Sequence, residues 1–522
     1  MKETEPAGKA VPPAARQDFD KAVSRRTTSS SRRPLALAAA GAALVLVIAA
    51  GAWWLWPKPA AVHGMTVRLA GFQMLSADLP ATTRETVDAE ISAAFNADGV
   101  VGVSTAAAAA PGSAPAYALG GTIQRDGQAI RVITRLTNER SGETLWTDTF
   151  NYDGNEASKV PRHIAVDAGN IVRCGLFGAS TYYKPLPDTV LRDYMQFCQG
   201  HWDPHLGAGR KAMLPAQRVV AAVPDFSWGW AAVAGAYWKV AGSAETEDFA
   251  KAARASGRQA ADRAIAIDDE NSEALYIKAV LVEPRDWLGR ETLLKRAVGA
   301  RRLDCGCEHH QYGWMLANVG RVAEAVEELR SANDMLALYV YTPLTLADAL
   351  VAAGKPEEAR LYYGAAVQLA PDAGIAQMIS MSEATKTGDI EALLDPNAQI
   401  SAQQREALLA GYRAVASGNA IAGAQAAQVL IRLPEEQQND GVALLLAKLG
   451  ANHAALQIAA RLATRRYPGP SILWFRSMRG TLDDPAFPAL VKQLGLIQYW
   501  QASHTRPDVC SEASAPPFCR ML

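Results

Sequence analysis

Residues 309–371 contain two passages that match each other at a fixed offset. The first passage is NVGRVAEAVEELRSANDMLAL (Asn318–Leu338), and the second is AAGKPEEARLYYGAAVQLAP (Ala352–Pro371). A fixed period of this length indicates stacked copies of one small helical unit, so we expect this region to fold as a repeat array. Four pairs of equivalent residues lie 34 positions apart: Gly320 and Gly354, Ala325 and Ala359, Leu329 and Tyr363, Ala332 and Ala366.

This period and its small residues resemble the tetratricopeptide (TPR) repeat, whose unit is a helical hairpin. Gly320 and Gly354 are placed to end the first helix of a hairpin, and the alanines let the second helix pack closely. The register extends upstream, and we expect about five hairpins from near Asp188 to Ala373. That number is sufficient for a continuous core, and the array is assigned to residues 185–373.

The amino-terminal segment has the pattern of a membrane anchor. Residues 1–33 are polar, with eight Lys or Arg against four acids, which predicts a disordered basic tail. Pro34–Trp56 has 23 residues without a charge and ends in tryptophans, as a transmembrane helix does. We therefore expect a single-pass protein of the bacterial inner membrane, with its amino terminus in the cytoplasm and its bulk in the periplasm. The alternative is a cleaved signal, since SRRPLAL (Ser31–Leu37) resembles a twin-arginine motif.

Residues 57–184 predict a small α/β domain. MTVRLAGFQ (Met65–Gln73) alternates like a strand, and a capping box at Thr82-x-x-Glu85 precedes apolar residues at helical spacing. A short strand follows. Three further strands are then joined by hairpin turns at Gly127 and Gly142, and a helix closes the unit.

The run from Leu119 to Asp153 resembles the TolB-like (FlgO-like) domain of bacterial membrane proteins. The order of membrane span, this domain and TPR repeats is similar to the periplasmic half of ToxR-type membrane-anchored transcription regulators. Those regulators carry a winged-helix domain of about a hundred residues before the span, whereas 33 residues stand here, so direct nucleic acid binding is not expected. The matching positions are Gly120, Gly121, Arg131, Val132, Leu136, Gly142, Glu143 and Trp146.

The helical pattern continues through residues 374–500, but the 34-residue period fades. Asp483–Trp500, followed by RPDVC (Arg506–Cys510), resembles a terminal helix and hook of the same regulator-like TPR proteins. We expect this segment to cap the apolar end of the array, because open-ended stacks require a cap. Residues 501–522 are a tail that contains Pro and Cys.

The six cysteines predict disulfides if the bulk of the chain lies in an oxidising compartment. Cys510 and Cys519 are the first expected pair, although sequence alone does not determine connectivity. Cys305 and Cys307 either form a local bridge or remain two thiols.

Two groups of Cys and His residues have the residue types of a metal site but not its spacing. Zinc sites use C-x₂₋₄-C and H-x₃₋₅-H spacings, so we expect no metal here. The chain also lacks the G-x-S-x-G, Walker A, H-E-x-x-H and Rossmann motifs, so no cofactor and no enzyme activity are expected. The two groups are Cys305, Cys307, His309 and His310, and Cys198, His201 and His205.

The inner face of each first helix in a TPR array lines a concave groove. Aromatic residues there favour capture of a protein or peptide, because they provide large contact area at low entropic cost. The alternative is that a neighbouring domain or the carboxyl-terminal helices fill the groove. The residues projected onto the groove are Tyr194, Phe197, Trp228, Trp238, Tyr276, His310, Trp314 and Tyr341, with His201 and Leu344 beside them.

The sequence thus predicts a mainly α protein, a TPR α-solenoid with a small α/β domain after a single transmembrane helix. Its expected function is that of a membrane-anchored periplasmic scaffold or sensor, non-catalytic, that binds a protein or peptide. The alternative is the sensory subunit of a signalling or transcription-regulation system whose DNA-binding output is a separate protein. An enzyme with a novel site is a third, less favoured hypothesis, and the oligomeric state stays open.

Overall fold

A computed structural model of the chain describes residues 66–79, 83–98, 101–104, 116–202, 208–301, 306–335, 339–369, 401–465 and 470–522. The predicted basic tail and the predicted span, Pro34–Trp56, lie outside these residues. Within the described ranges, no helix is long and apolar enough to cross a bilayer. The described part is mainly helical with one small mixed sheet, which confirms the predicted fold class at this level.

The amino-terminal α/β domain has a five-stranded sheet in the order β2-β1-β3-β4-β5. Strand β1 pairs in parallel with β2 and β3, whereas β3–β4 and β4–β5 are antiparallel. A β-α-β unit therefore leads into a meander, and the final helix packs back on the sheet. The elements are β1 (Thr66–Met74), α1 (Thr83–Asp98), β2 (Gly102–Ser104), β3 (Ala116–Asp126), β4 (Ala129–Asn138), β5 (Thr144–Asp153) and α2 (Val160–Ser180).

Three glycines of the α/β domain are required at their positions for two different steric reasons. Gly127 and Gly142 lie in the two hairpin turns with φ of +62° and +73°, a region that favours glycine. Gly121 lies in the middle of β3. A Cβ there would stand 1.9 Å from the carbonyl oxygen of Ile133 and 2.9 Å from Phe72 Cε1, so β3 and β4 approach as they do only because this residue is glycine.

Among the described residues from Asp188 to Leu369, ten helices form five consecutive hairpins, each pairing a first helix with the helix that follows it. The first helices are α3 (Asp188–Trp202), α5 (Ser227–Gly242), α7 (Ser272–Leu281), α9 (Cys307–Asn318) and α11 (Tyr341–Ala352). The second helices are α4 (Ala208–Ala222), α6 (Glu247–Ile267), α8 (Trp287–Val298), α10 (Val322–Met335) and α12 (Pro356–Leu369).

The two matching passages have the geometry that their residues predict. Gly320 and Gly354 end α9 and α11 with φ of +79° and +78°. Ala325 and Ala359 are fully buried between the helices of their hairpins. The 34-residue offset is therefore the repeat of one helix–turn–helix geometry, set by a left-handed turn residue and a small contact residue.

The described carboxyl-terminal residues, 401–465 and 470–522, contain two more hairpins and a segment of short helices. The hairpin helices are α13 (Ala402–Ser417), α14 (Ala420–Ile431), α15 (Asp440–Lys448) and α16 (Asn452–Arg465). The terminal segment, residues 470–522, contains α17 (Phe487–Gln493), α18 (Leu496–Ser503) and several 3₁₀ turns. Its own core is a cluster of aromatic rings, with centroids 5.0–6.5 Å apart, formed by Trp474, Phe487, Trp500 and Phe518.

This terminal segment lies against the side of the array, at the turn that follows α9. The Nε1–H groups of Trp474 and Trp500 donate to the carbonyls of Asn318 and Val319, both at 2.9 Å. The backbone N–H of Asp508 donates to the carbonyl of Gly320. These three carbonyls lie at or just after the carboxyl end of α9, where they accept no hydrogen bond from the helix itself. The observed contacts are made at this turn, where the tryptophan donors bind free carbonyls, and the predicted cap on the apolar end of the array stays a prediction.

Candidate protein-binding groove

Helix α2 of the α/β domain lies on the inner face of the array. Phe177 of α2 meets Trp228 of α5 edge to face, with ring centroids 5.1 Å apart. Gly175 and Gly178 allow α2 to approach α3 closely. A Cβ on Gly175 would stand 1.9 Å from Met195 Sδ, and one on Gly178 would stand 2.2 Å from the hydroxyl of Tyr194. The amino-terminal part of the groove is therefore filled by the chain's own α/β domain.

Polar and covalent contacts reinforce this docking. Cys174 of α2 and Cys198 of α3 form a disulfide, with Cα atoms 5.9 Å apart. Asp188, at the start of α3, accepts hydrogen bonds from Asn138 at 2.8 Å and from Ser141 at 2.6 Å. Helix α2 also contacts α5 and α12, and α1 contacts α10. Of the two occupants that the sequence left open, the neighbouring domain fills the amino-terminal part of the groove, whereas the described terminal residues 470–522 contact the turn after α9.

A small cavity remains between α2 and the first helices of four hairpins. Two oppositely charged side chains line it, Arg173 at 6% and Glu273 at 7% exposure. Two ring nitrogens in its wall, His201 Nδ1 and Trp202 Nε1, are buried without a hydrogen-bond partner in the described part of the chain. The other lining residues are Cys174, Tyr194, Phe197, Trp228 and Cys307.

The two histidines on the inner face are neutral at physiological pH. Burial lowers the pKa of His201 to about 3, and the nearby charge of Lys239 contributes in the same direction. Burial alone lowers the pKa of His310 to about 4. His310 Nδ1 lies 3.2 Å from the hydroxyl of Thr342 and hydrogen-bonds to it. Their environment is that of structural residues that pack beside aromatic rings.

A second set of aromatic residues is only partly buried beside the docked domain. The ring of Tyr339 lies 5.3 Å from Trp202, 5.3 Å from Tyr341 and 5.7 Å from His310. Tyr341 is 46% exposed, and the others in the set are half-buried. We call Trp202, Tyr339 and Tyr341 the aromatic rim, together with the half-buried Trp238 and Trp314, which the repeat register projects onto the same face.

The predicted groove residues thus divide into two groups. Trp238, Trp314 and Tyr341 belong to the aromatic rim. The other five residues projected onto the groove are buried, because helix α2 and neighbouring side chains cover them, and their role in partner binding stays a prediction. We call the buried group Tyr194, Phe197, Trp228 and Tyr276 the aromatic floor, and His310 is buried beside it.

Sequence reasoning missed Trp202 and Tyr339. Trp202 ends α3 one residue after His201, outside the face that the repeat register projects. Tyr339 precedes α11 in a connection, where no helical register applies. A run of aromatic residues at the amino end of a first helix, Tyr339 and Tyr341, was the one available signal.

The cysteines are arranged differently from the loose metal set considered above. Cys198 forms a disulfide with Cys174, so it has no thiolate that could bind a metal together with His201. Cys307 is disulfide-bonded as well, and Cys305 lies outside the described residues. Cys510 and Cys519, the pair proposed from the sequence, are joined in the structure.

Comparisons with known proteins add little to this description. No protein-family model matches the chain, and no curated protein matches it. Among solved structures, the chain is similar to a thermophilic TPR protein of Thermus thermophilus. That similarity has 16% identity and a TM-score of 0.28, and it covers 38% of this chain and 95% of the other. A TM-score this low carries no conclusion, so the helical-repeat architecture rests on the five hairpins themselves.

Proposed function

We propose that this chain is a non-catalytic scaffold that binds a protein or peptide partner through the aromatic rim. The observation that carries the proposal is the contiguous contact of Trp202, Tyr339 and Tyr341, which is partly exposed beside the filled part of the groove. Clustered Trp and Tyr side chains are the residues that dominate protein interfaces, because rigid rings bury large area with few torsions to order. The rim would be the centre of such an interface.

The location of the protein is part of the same proposal. The uncharged segment Pro34–Trp56 supports a single-pass anchor in a bacterial inner membrane, with the rest of the chain in the periplasm. The disulfides Cys174–Cys198 and Cys510–Cys519 agree with an oxidising compartment. Gly121 supports the TolB-like assignment of the α/β domain, because this glycine of the motif is needed for β3 and β4 to lie so close together.

The test is site-specific photo-crosslinking in intact cells. A photoreactive residue in place of Trp238 should capture a defined partner, whereas the same residue in place of Leu361 should not. Leu361 is a matched control because it is 72% exposed on α12 and lies outside the rim. The double variant Trp238→Ala, Trp314→Ala should lose the captured band while its circular dichroism stays unchanged. Unchanged capture by a folded double variant would refute the proposal.

A second candidate function is that of a sensory subunit. The observation that favours it is the basic tail, residues 1–33, on the predicted cytoplasmic side. Such a tail would contact a separate DNA-binding protein by charge attraction. Fusion of residues 1–33 to one half of a two-hybrid reporter should then recover that protein, and neutralising Arg25, Arg26, Arg32 and Arg33 should abolish the signal. Recovery that is independent of these charges would count against it.

A further inference from the structure

The Cys174–Cys198 disulfide spans the contact between the α/β domain and the array. It joins α2 to α3 across a loop with a sequence separation of 24, and the chain between the two helices is residues 181–187. We propose that this disulfide is a redox lock on the docked domain. In this proposal a dithiol protein reduces the bond, the α/β domain leaves the inner face of the array, and the aromatic floor becomes accessible.

The noncovalent part of the docking is suited to such release. Its peripheral ties are exposed, as in the ion pair of Arg192 with Glu143, whose side chains are 41% and 50% exposed. Exposed pairs of this kind contribute little. The centre of the contact is apolar around Phe177 and Trp228, but it encloses a small cavity lined by the buried charges of Arg173 and Glu273.

The two cysteines differ in exposure, which sets the order of the reaction. Cys198 is fully buried, whereas Cys174 is half-buried and lines the cavity. An incoming thiolate would therefore attack Sγ of Cys174. The S–S bond breaks, and Cys198 leaves as a thiolate that takes a proton from water. The second thiol of the reductant then attacks the mixed disulfide and releases Cys174. Two electrons pass from the dithiol, which ends as a disulfide.

The aromatic floor that this reaction uncovers has a defined shape. It accepts a helix whose contact face carries glycine at the positions of Gly175 and Gly178, since larger side chains there would collide with Met195 and Tyr194. The matching partner is an amphipathic helix with small residues one turn apart and an aromatic residue in place of Phe177. This last step rests on the proposed function, whereas the release of the domain does not.

Hydrogen exchange on the full-length oxidised protein tests the lock. The variant Cys174→Ser, Cys198→Ser should exchange amides of α3 and α5 at least tenfold faster than the wild type. The matched control is Cys510→Ser, Cys519→Ser, which removes the other described disulfide and should leave α3 and α5 at the wild-type rate. Equal exchange of α3 and α5 in all three proteins would overturn the proposal. No partner is needed, so failure of crosslinking at Trp238 and failure of the lock are distinguishable.

A redox titration covers the case in which the serine variant does not fold. Wild-type protein is equilibrated with glutathione buffers of increasing reducing strength, and exchange in α3 should rise as mass spectrometry detects reduced Cys198. Exchange that stays constant after complete reduction of Cys198 overturns the lock. Partial reduction should also leave a glutathione adduct on Cys174. An adduct on Cys198 instead would overturn the order of attack.

Discussion

Arg321 is the buried cation that joins two hairpins to the terminal segment, and its replacement gives the sharpest test of the packing described above. Its Nη1 donates to Glu291 of α8 at 2.5 Å and to the hydroxyl of Tyr499 in α18 at 2.7 Å. Its other nitrogens bind Glu324 at 2.7 and 2.5 Å. The side chains of Arg321 and Glu291 are 6% and 4% exposed, whereas that of Glu324 is 57% exposed.

The change Arg321→Met keeps the aliphatic stem and removes the charge. Breaking a buried ion pair from one side costs roughly 3–5 kcal/mol, because the remaining charge is left in a poorly solvated site. Lys295 Nζ stays 2.9 Å from Glu291 and compensates part of that charge. The exposed pair with Glu324 adds little. We therefore expect a loss of about 3 kcal/mol, near the lower limit of this range.

Tyr499→Phe tests the same network from the terminal segment. It deletes one hydroxyl, which lies 2.7 Å from Arg321 and 3.1 Å from Glu291, and keeps the ring. A hydrogen bond to a charged group contributes about 1.5–3 kcal/mol, so the loss should be about half that of Arg321→Met. The surface control is Arg330→Met on α10, whose partners Glu327 and Glu358 are accessible and whose loss should cost under about 1 kcal/mol.

Urea unfolding followed by circular dichroism at pH 7 measures the three variants. The expected order of destabilisation is Arg321→Met, then Tyr499→Phe, then Arg330→Met. The double variant of Arg321 and Tyr499 should lose less than the sum of the single losses, because both side chains belong to one network. A loss for Arg321→Met no larger than that for Arg330→Met would refute the assignment of Arg321 as the link between array and terminal segment.

Three further predictions follow from single contacts. Gly121→Ala should unfold the α/β domain, because its Cβ would stand 1.9 Å from a backbone carbonyl oxygen. Gly127→Ala meets no atom within 4 Å and should cost only about 1 kcal/mol of stability, because of the left-handed turn at this position. Thermal unfolding of the two variants measures the difference. Cys510→Ser with Cys519→Ser should destabilise the terminal segment by about 2.5 kcal/mol, the chain-entropy value for so short a loop, and hydrogen exchange should accelerate there and not in α3. The buried neutral His310 has a folded pKa of about 4, below the roughly 6.5 of an unfolded histidine, so the unfolded state binds the extra proton first and stability falls as pH drops from about 6.5 to 4, by up to about 1.4 kcal/mol per unit. The urea midpoint of the His310→Gln variant should therefore depend less on pH between about 6.5 and 4 than that of the wild type. An equal pH dependence in the two proteins would contradict the assignment of His310 as a buried neutral residue.

Much of the fold follows from local sequence. The positions of Gly320 and Gly354 predict where α9 and α11 end, since a left-handed residue closes a helix whatever surrounds it. The periodic residues Val87, Ile91 and Phe95 predict α1, and all three are buried. The turns at Gly127 and Gly142 predict the β3–β4 and β4–β5 hairpins for the same local reason.

The state of the groove could not be read from the repeats. The buried residues of helix α2 surround most of its circumference, from Ile164 to Gly178. A helix buried in this way is covered on more than one side. One side meets the sheet of its own domain, and the other meets α3 and α5. The register of the array places Tyr194 and Trp228 on the inner face but contains no information about this second layer.

The sequence by itself determined the hairpins, the strands and their turns, because each depends on residues within a few positions of one another. Only the tertiary structure decided that α2 occupies the amino-terminal part of the groove, that Cys174 pairs with Cys198, and that the terminal tryptophans bind the turn after α9. These contacts join residues that are distant in the chain or face a surface with several possible occupants. Which segment occupies such a surface depends on how well the two whole surfaces pack together, and neither residue spacing nor amino-acid composition predicts that packing.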